Sequence, residues 1–290
     1  METSLKIFML GARRCGKSST LASMLSSLDT LDPNICICFS NESSKENLRK
    51  KQADMEKIFS DENIRKGLWM DDGETGDHEI NTYSLDVKIC DKFLIHVSCS
   101  DIPGEIIQND MHTLLEVSKD SDIIIVAIDT PQLMENKQKG VLANYVNPIT
   151  DFCQILVSCN KMRNKRIIFV PLKCEKYAHE GRICEVTQRV KTVYENLIYL
   201  WKRNAQSDGF VTPVLTLGDL EFDHFEDIKK VGSLAYYKYT GNKNYSPKYC
   251  EQPLLYAIDY ALHRLAWTKK TSWYLRATKK ATEVLKSIFS

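Results

Sequence analysis

One short run limits what this chain can fold into. Residues Ile7–Thr20 read IFMLGARRCGKSST, an apolar segment entering Gly11-Ala12-Arg13-Arg14-Cys15-Gly16-Lys17-Ser18. That segment fits G-x-x-x-x-G-K-[ST] at every fixed position. Glycines at 11 and 16 let the backbone curl until consecutive N–H groups point into one concavity, a nest for phosphate oxygens. A helix opening near Lys17 adds the positive end of its dipole at the same place. Lys17 then reaches the β- and γ-phosphates of a nucleotide, and the Ser18 hydroxyl reaches Mg²⁺. The motif needs a strand before it and a helix after it. Leu5–Leu10 is apolar apart from Lys6, and Ser18–Leu28 carries Leu21, Met24, Leu25 and Leu28 on one helical stripe.

Strand and helix patterns alternate from there to about residue 217. Ser40–Gly67 keeps Leu48, Met55, Ile58 and Phe59 at helical spacing in a polar setting and reads as a surface helix. Gly67–Thr82 is loop by composition. Tyr83–Ile89 and Phe93–Ser98 are strands whose link, Cys90-Asp91-Lys92, is short enough only for an antiparallel hairpin. The second leads to Asp101-Ile102-Pro103-Gly104-Glu105, placing an acid where a Mg²⁺–water ligand opposite a phosphate loop belongs. Thr113–Ser118 is expected as a helix, Asp122–Asp129 as a buried strand and Ile149–Met162 as an amphipathic helix. Arg166–Leu172 is a buried strand entering Lys173-Cys174-Glu175, and Val186–Arg203 is expected as one long helix. Phe210–Leu217 is the last strand, closed by Gly218. This order predicts an α/β fold: a mostly parallel sheet with one antiparallel edge strand and flanking helices.

Beyond residue 252, Leu254, Leu255, Ile258, Ala261, Leu262 and Leu265 form a stripe expected to pack on the core. We expect a domain over residues 1–262 and a basic amphipathic helix over 263–290. From Lys269 there are six Lys/Arg against one Glu, interleaved with Trp273, Tyr274, Leu285, Ile288 and Phe289. A helix docked on its own domain is favoured, with a protein partner next and membrane-surface contact possible but not favoured. A net charge of +1 gives no global field for nucleic acid, and no base-stacking module is visible, so none is expected as a partner. The ten cysteines include no C-x-x-C, so reduced thiols in a cytoplasmic protein are expected rather than disulfides or a metal site. Cys15 is either an oxidation-sensitive position or inert filler. METSLKIFML lacks the apolar run of a signal peptide, and no stretch approaches a membrane span.

Phosphate loop, hairpin, D-x-x-G and a later strand ending in lysine plus acid occur in the order of Ras-like, translation-factor-related P-loop GTPases, and the chain resembles that class over residues 5 to about 218. More narrowly, AIDTPQLME (127–135), FVPLKCEKY (169–177), TPVLTLG (212–218) and YSPKYCEQPLLYA (245–257) resemble the bacterial double-GTPase-like domains of conflict systems. The resemblance implies GTP/GDP and Mg²⁺ as cofactors, and slow GTP hydrolysis used as a conformational switch and accelerated by a protein activator or read by an effector. It implies phosphate contacts from Gly11, Arg13, Arg14, Cys15, Gly16, Lys17, Ser18 and Ser19. Ser18, Asp101 and a switch threonine would serve Mg²⁺, the threonine being Thr75 in preference to Thr82. Gly104 would sense the γ-phosphate, and Lys173, Glu175 and the backbone near Leu217 would hold the base. Lys17, Glu105 and Arg14 are the catalytic candidates.

Three departures from the class pattern leave alternatives open. Glu105 replaces the water-orienting glutamine, and either orients water or has a switch-structural role. Leu172-Lys173-Cys174-Glu175 replaces N-K-x-D; an acid there accepts the N1–H and N2–H₂ edge of guanine, which adenine does not offer. Arg13 and Arg14 replace small residues, and either obstruct an external arginine finger, act in cis, or simply point to solvent. A non-hydrolysing nucleotide-bound platform and an ATP-using P-loop NTPase are the alternative functions.

Overall fold

In the computed structural model, residues 2–28, 34–60, 80–90, 93–159, 161, 165–205, 209–228, 232–240, 245–268 and 283 are described. β1 (Glu2–Gly11) runs into the phosphate-loop segment and α1 (Lys17–Leu28). β2 (Ile35–Phe39) and α2 (Glu42–Ser60) follow, then β3 (Asn81–Ile89) and β4 (Phe93–Asp101). Short helices α3 (Gly104–Asn109) and α4 (Met111–Ser118) lead to β5 (Ile123–Asp129). After it come α5 (Thr130–Glu135), α6 (Lys137–Ala143) and α7 (Val146–Ser158). β6 (Arg166–Leu172) precedes α8 (Glu175–His179), α9 (Ile183–Val193) and α10 (Glu195–Ala205). β7 (Phe210–Val211), β8 (Leu220–Ile228), β9 (Gly232–Tyr239) and α11 (Gln252–Thr268) end the succession.

Seven strands form one sheet in the order β2-β3-β4-β1-β5-β6-β7. β4, β1, β5, β6 and β7 are parallel, while β3 opposes both of its neighbours. The expected hairpin is present, and β2, which the sequence leaves unassigned, extends the sheet one strand beyond it. Alternate residues of the central strands face opposite layers, as a pleated strand requires. Leu5, Ile7 and Met9 join Ile123, Ile125 and Ala127 under α1 and α11, through Leu21, Met24, Leu255, Ile258 and Leu262. Phe8 and Leu10 join Ile124, Val126 and Ile128 under α4, α7 and α10, through Leu114, Phe152, Leu156, Leu197 and Trp201. Burial of both faces explains why residues 7–10 of β1, 123–128 of β5 and 167–172 of β6 read as apolar runs.

Three expectations change. Val186–Arg203 is not one helix: Tyr194 leaves the helical path at φ −99° and ψ 18°, and its buried ring sits 5.1 Å from Phe169. The last strand ends at Val211 instead of Leu217. Thr212 N–H still donates to Phe169 O at 2.9 Å, but Pro171 of β6 has no N–H to return the next bond of the ladder. Third, β8 and β9 form a separate antiparallel hairpin after it. The expected C-terminal stripe does pack, with Leu254, Leu255, Ile258, Ala261 and Leu262 buried. α11 continues past residue 262 to Thr268, where Arg264 pairs with Asp122 at the start of β5. Residues 269–282 and 284–290, the body of the expected basic helix, lie outside the described residues, as does Thr75.

Candidate functional site

The carboxyl ends of β1, β4, β5 and β6 open on one edge of the sheet, where chain connections leave β1 in opposite directions and a crevice forms. Gly11 ends β1 in a place closed to any other residue, since a Cβ there would lie 2.8 Å from Ala127 O. Gly16 has φ +105°, a conformation L side chains rarely adopt. Arg14 is also left-handed, at φ 63°, and its side chain is exposed on the loop. Lys17 is buried at the start of α1 and donates from Nζ to Gly11 O and Ala12 O, both at 2.9 Å. This holds a cation at the mouth of the loop. Ser19 lies two residues further along α1, and its carbonyl accepts from Ser23 Oγ at 2.9 Å. Cys15 is 1% exposed, and burial pushes its thiol up, so it is packing rather than a reactive position.

Ser18 and Asp101 meet as the motifs require. The Ser18 hydroxyl donates to Asp101 Oδ2 at 2.5 Å, and Asp101 Oδ1 is buried without a protein partner. A serine hydroxyl and one acid are the protein share of a Mg²⁺ site that fills its shell with water and phosphate. Among the described residues no cluster of three or more His, Cys, Asp or Glu is arranged to hold a metal. Thr82 is exposed at the start of β3, 3.2 Å from the hydroxyl of Ser100, the residue before Asp101.

Gly104 packs directly on the loop, because a Cβ there would fall 2.5 Å from Arg13 N and 3.1 Å from the carbonyl carbon of Ala12. The next residue, Glu105, pairs with Arg13 at 2.9 Å. Arg13 therefore does not simply face solvent; its guanidinium joins the loop to the segment after D-x-x-G. Tyr145 was not legible as a site residue. It adopts φ 52° ahead of α7, and the charges of Glu105, Lys17 and Arg13 act on its hydroxyl.

The other end is built by β5, β6 and the segment after β7. Lys173 has φ 58° and donates from Nζ to Asp129 Oδ2 at 2.6 Å and to Arg14 O at 3.4 Å. Burial alone would lower its ammonium, but the Asp129 carboxylate more than offsets this and holds it raised. Asp129 also caps α5 through Gln132 N–H at 3.0 Å. Asn144 braces Asp129, accepting from its N–H at 2.7 Å. Asp129 had one sequence signal, an acid ending an apolar strand as Asp101 does; Asn144 and Tyr145 had none.

Glu175 opens α8 and is 7% exposed. Its Oε1 accepts from the Leu217 N–H at 2.5 Å, while Oε2 is buried with no protein partner. Burial pushes the carboxyl up to about 8, against the opposing pull of the Leu217 N–H. Leu217 thus acts on Glu175 through its backbone, and Thr216 Oγ1 accepts from the Lys173 N–H at 3.2 Å.

No family model matches the chain, and no curated protein matches it in sequence. Among solved structures, the Ski7 GTPase-like domain of S. cerevisiae bound to GDP and inorganic phosphate is similar at 16% identity and a TM-score of 0.44. That match covers 88% of this chain and 50% of the other. The same domain bound to GTP gives 16% and 0.43, covering 74% and 43%. Sup35 complexed with GDP gives 12% and 0.36, covering 75% and 38%. The chain thus spans half or less of the length of these solved chains. Among the described residues, no helix is long and apolar enough to cross a membrane.

Proposed function

We propose that this chain binds a guanine nucleotide with Mg²⁺ and hydrolyses GTP slowly to GDP, using the change as a conformational switch. The observation that carries this is a pair of buried carboxylate oxygens without protein partners, Asp101 Oδ1 beside the phosphate loop and Glu175 Oε2 beside Lys173. Buried acceptors left unpaired are costly, and a ligand with a cation at one end and N–H donors at the other satisfies both. Guanine presents N1–H and N2–H₂ to a carboxylate, and adenine presents no such edge. Lys173 would lay its aliphatic stem along the base plane.

Gly11–Gly16 would hold phosphate oxygens on backbone N–H groups, with Lys17 turning from the loop carbonyls to the β- and γ-phosphates. Ser18 and Asp101 would hold Mg²⁺, which supplies positive charge to the phosphoryl group being transferred. Glu105 would orient the attacking water. Its ion pair with Arg13 offsets the negative charge that a carboxylate otherwise brings beside that phosphoryl group. The Gly104 N–H would sense the γ-phosphate, since Gly104 already touches the loop. The narrower resemblance would set this switch in a bacterial conflict system, with a protein activator or effector as partner. A non-hydrolysing, nucleotide-held platform is the second reading, favoured by the same Arg13–Glu105 pair because it engages the acid assigned here to orient water.

The test is calorimetric titration of nucleotide-free protein with GDP, GTPγS and ATPγS, each with Mg²⁺. Guanine-selective binding that disappears in Glu175→Ala is expected. ATPγS binding as tight as GTPγS would sink the guanine assignment. GTPγS binding without any phosphate release from GTP would leave the platform as the function.

A further inference from the structure

The β8–β9 hairpin stands outside the main sheet, yet it is pinned to the loops that carry Lys173 and Glu175. Its Phe222 and Tyr237 are buried in a cluster with Leu217, Leu220 and Met55 of α2. Glu221 accepts from Lys238 at 3.2 Å and faces His179 of α8 at 3.3 Å. Lys176 Nζ lies 5.2 Å from the centre of the Phe222 ring. Tyr237 shares this cluster with Leu217, whose backbone N–H holds Glu175. The charges of Lys173, Asp129 and Glu175 act on its hydroxyl. Burial pushes that hydroxyl up to about 12, so Tyr237 is a neutral phenol.

A purine in an aqueous cleft needs a flat apolar wall as well as an edge partner. Lys173 offers a stem on one side and Glu175 a carboxylate at the edge, and both come from the main domain. The aromatic side chain at the same place comes from the hairpin. We infer that Tyr237 is a nucleobase-contacting residue, its ring supplying the aromatic wall of the base slot. It therefore sets base affinity without touching the phosphates. This rests on the assignment of Lys173–Glu175 as the base side.

The experiment titrates the full chain with Mg²⁺–GDP and, separately, with Mg²⁺–pyrophosphate, which has no base. Tyr237→Leu keeps apolar volume in the hairpin cluster but removes the ring; Tyr237→Phe keeps the ring and removes the hydroxyl. Stacking on an aromatic side chain predicts a loss of roughly 5- to 150-fold in GDP affinity for Tyr237→Leu. Pyrophosphate affinity should stay within about 2-fold, and Tyr237→Phe should bind GDP within about 3-fold of wild type, since the plane and not the hydroxyl carries the contact. Unchanged or tighter GDP binding by Tyr237→Leu would overturn the inference, tighter binding meaning that the ring fills the slot. Parallel loss of GDP and pyrophosphate would also overturn it, as damage to the whole site. Wild-type protein that binds pyrophosphate but not GDP would overturn the base-side assignment and this inference with it. Should Tyr237→Leu fail to fold, photolabelling of wild-type protein with 8-azido-GDP decides: label on the Gly232–Tyr239 strand supports the contact, and label only elsewhere refutes it.

Discussion

Glu175→Gln separates the two properties of the base-side acid. Glu175 is 7% exposed, with one oxygen held by the Leu217 N–H and the other unpartnered. Burial pushes its carboxyl from the ordinary 4.5 up to about 8. A raised folded value means that the folded state keeps a proton the unfolded chain has released. The stabilising contribution is therefore fully present below about 4.5 and is lost as pH rises through about 8. Each pH unit in that window is worth about 1.4 kcal/mol. Glutamine has the same shape and no titration, so the stability gap between Glu175→Gln and wild type should move by roughly 3 kcal/mol in the variant's favour between about pH 5 and pH 7. Urea unfolding of both proteins at a series of pH values measures this, and other titrating groups cancel in the difference. Guanine donors favour the carboxylate form, so GDP affinity of the wild type should rise with pH up to about 8, with proton release on binding near neutrality. The variant should show neither the rise nor the guanine preference. A stability gap that stays constant with pH would refute the buried acid, and GDP affinity flat with pH would refute its contact with guanine.

Asp101→Asn should bring the ratio of GTPγS affinities with and without Mg²⁺ close to one, because an amide is a poor ligand for a hard cation; an undiminished ratio would move the cation site elsewhere. Gly104→Ala forces a methyl to 2.5 Å from Arg13 N, so we expect a loss of roughly 1–3 kcal/mol in thermal or urea unfolding and weaker GTPγS binding; a melting temperature equal to wild type would contradict the close packing. Glu105→Ala should cut GTP turnover about 100-fold or more with GTPγS affinity little changed. Its half-exposed pair with Arg13 is worth at most about 1 kcal/mol of stability, so a collapse of the melting temperature would point to a structural role instead.

The phosphate loop was legible because everything it needs lies within eight consecutive residues, and a backbone nest is local geometry. The central strands were legible as well, because burial on both faces writes an apolar run into residues 7–10 of β1, 123–128 of β5 and 167–172 of β6. The hairpin followed from the length of its connection. β8 escaped notice because LEFDHFEDI has charges where a regular alternation would place apolar residues, and a bulge at Phe222/His224 shifts its register. The division at Tyr194 comes from a ring that packs on a strand lying elsewhere in the sequence, which no helical stripe reports.

From its sequence alone, then, this chain determines a strand–loop–helix phosphate nest within a mostly parallel α/β sheet, with an acid at the end of β4 and another after β6. The tertiary structure alone decided which groups meet there: Arg13 with Glu105, Lys173 with Asp129, Glu175 with the Leu217 N–H, and Tyr237 in one cluster with Leu217. A nest depends on the dihedrals of neighbouring residues, which local sequence dictates. These partnerships depend on strand order and on a hairpin folded back from the far end of the chain, and they exist only once the sheet has brought distant segments to one edge.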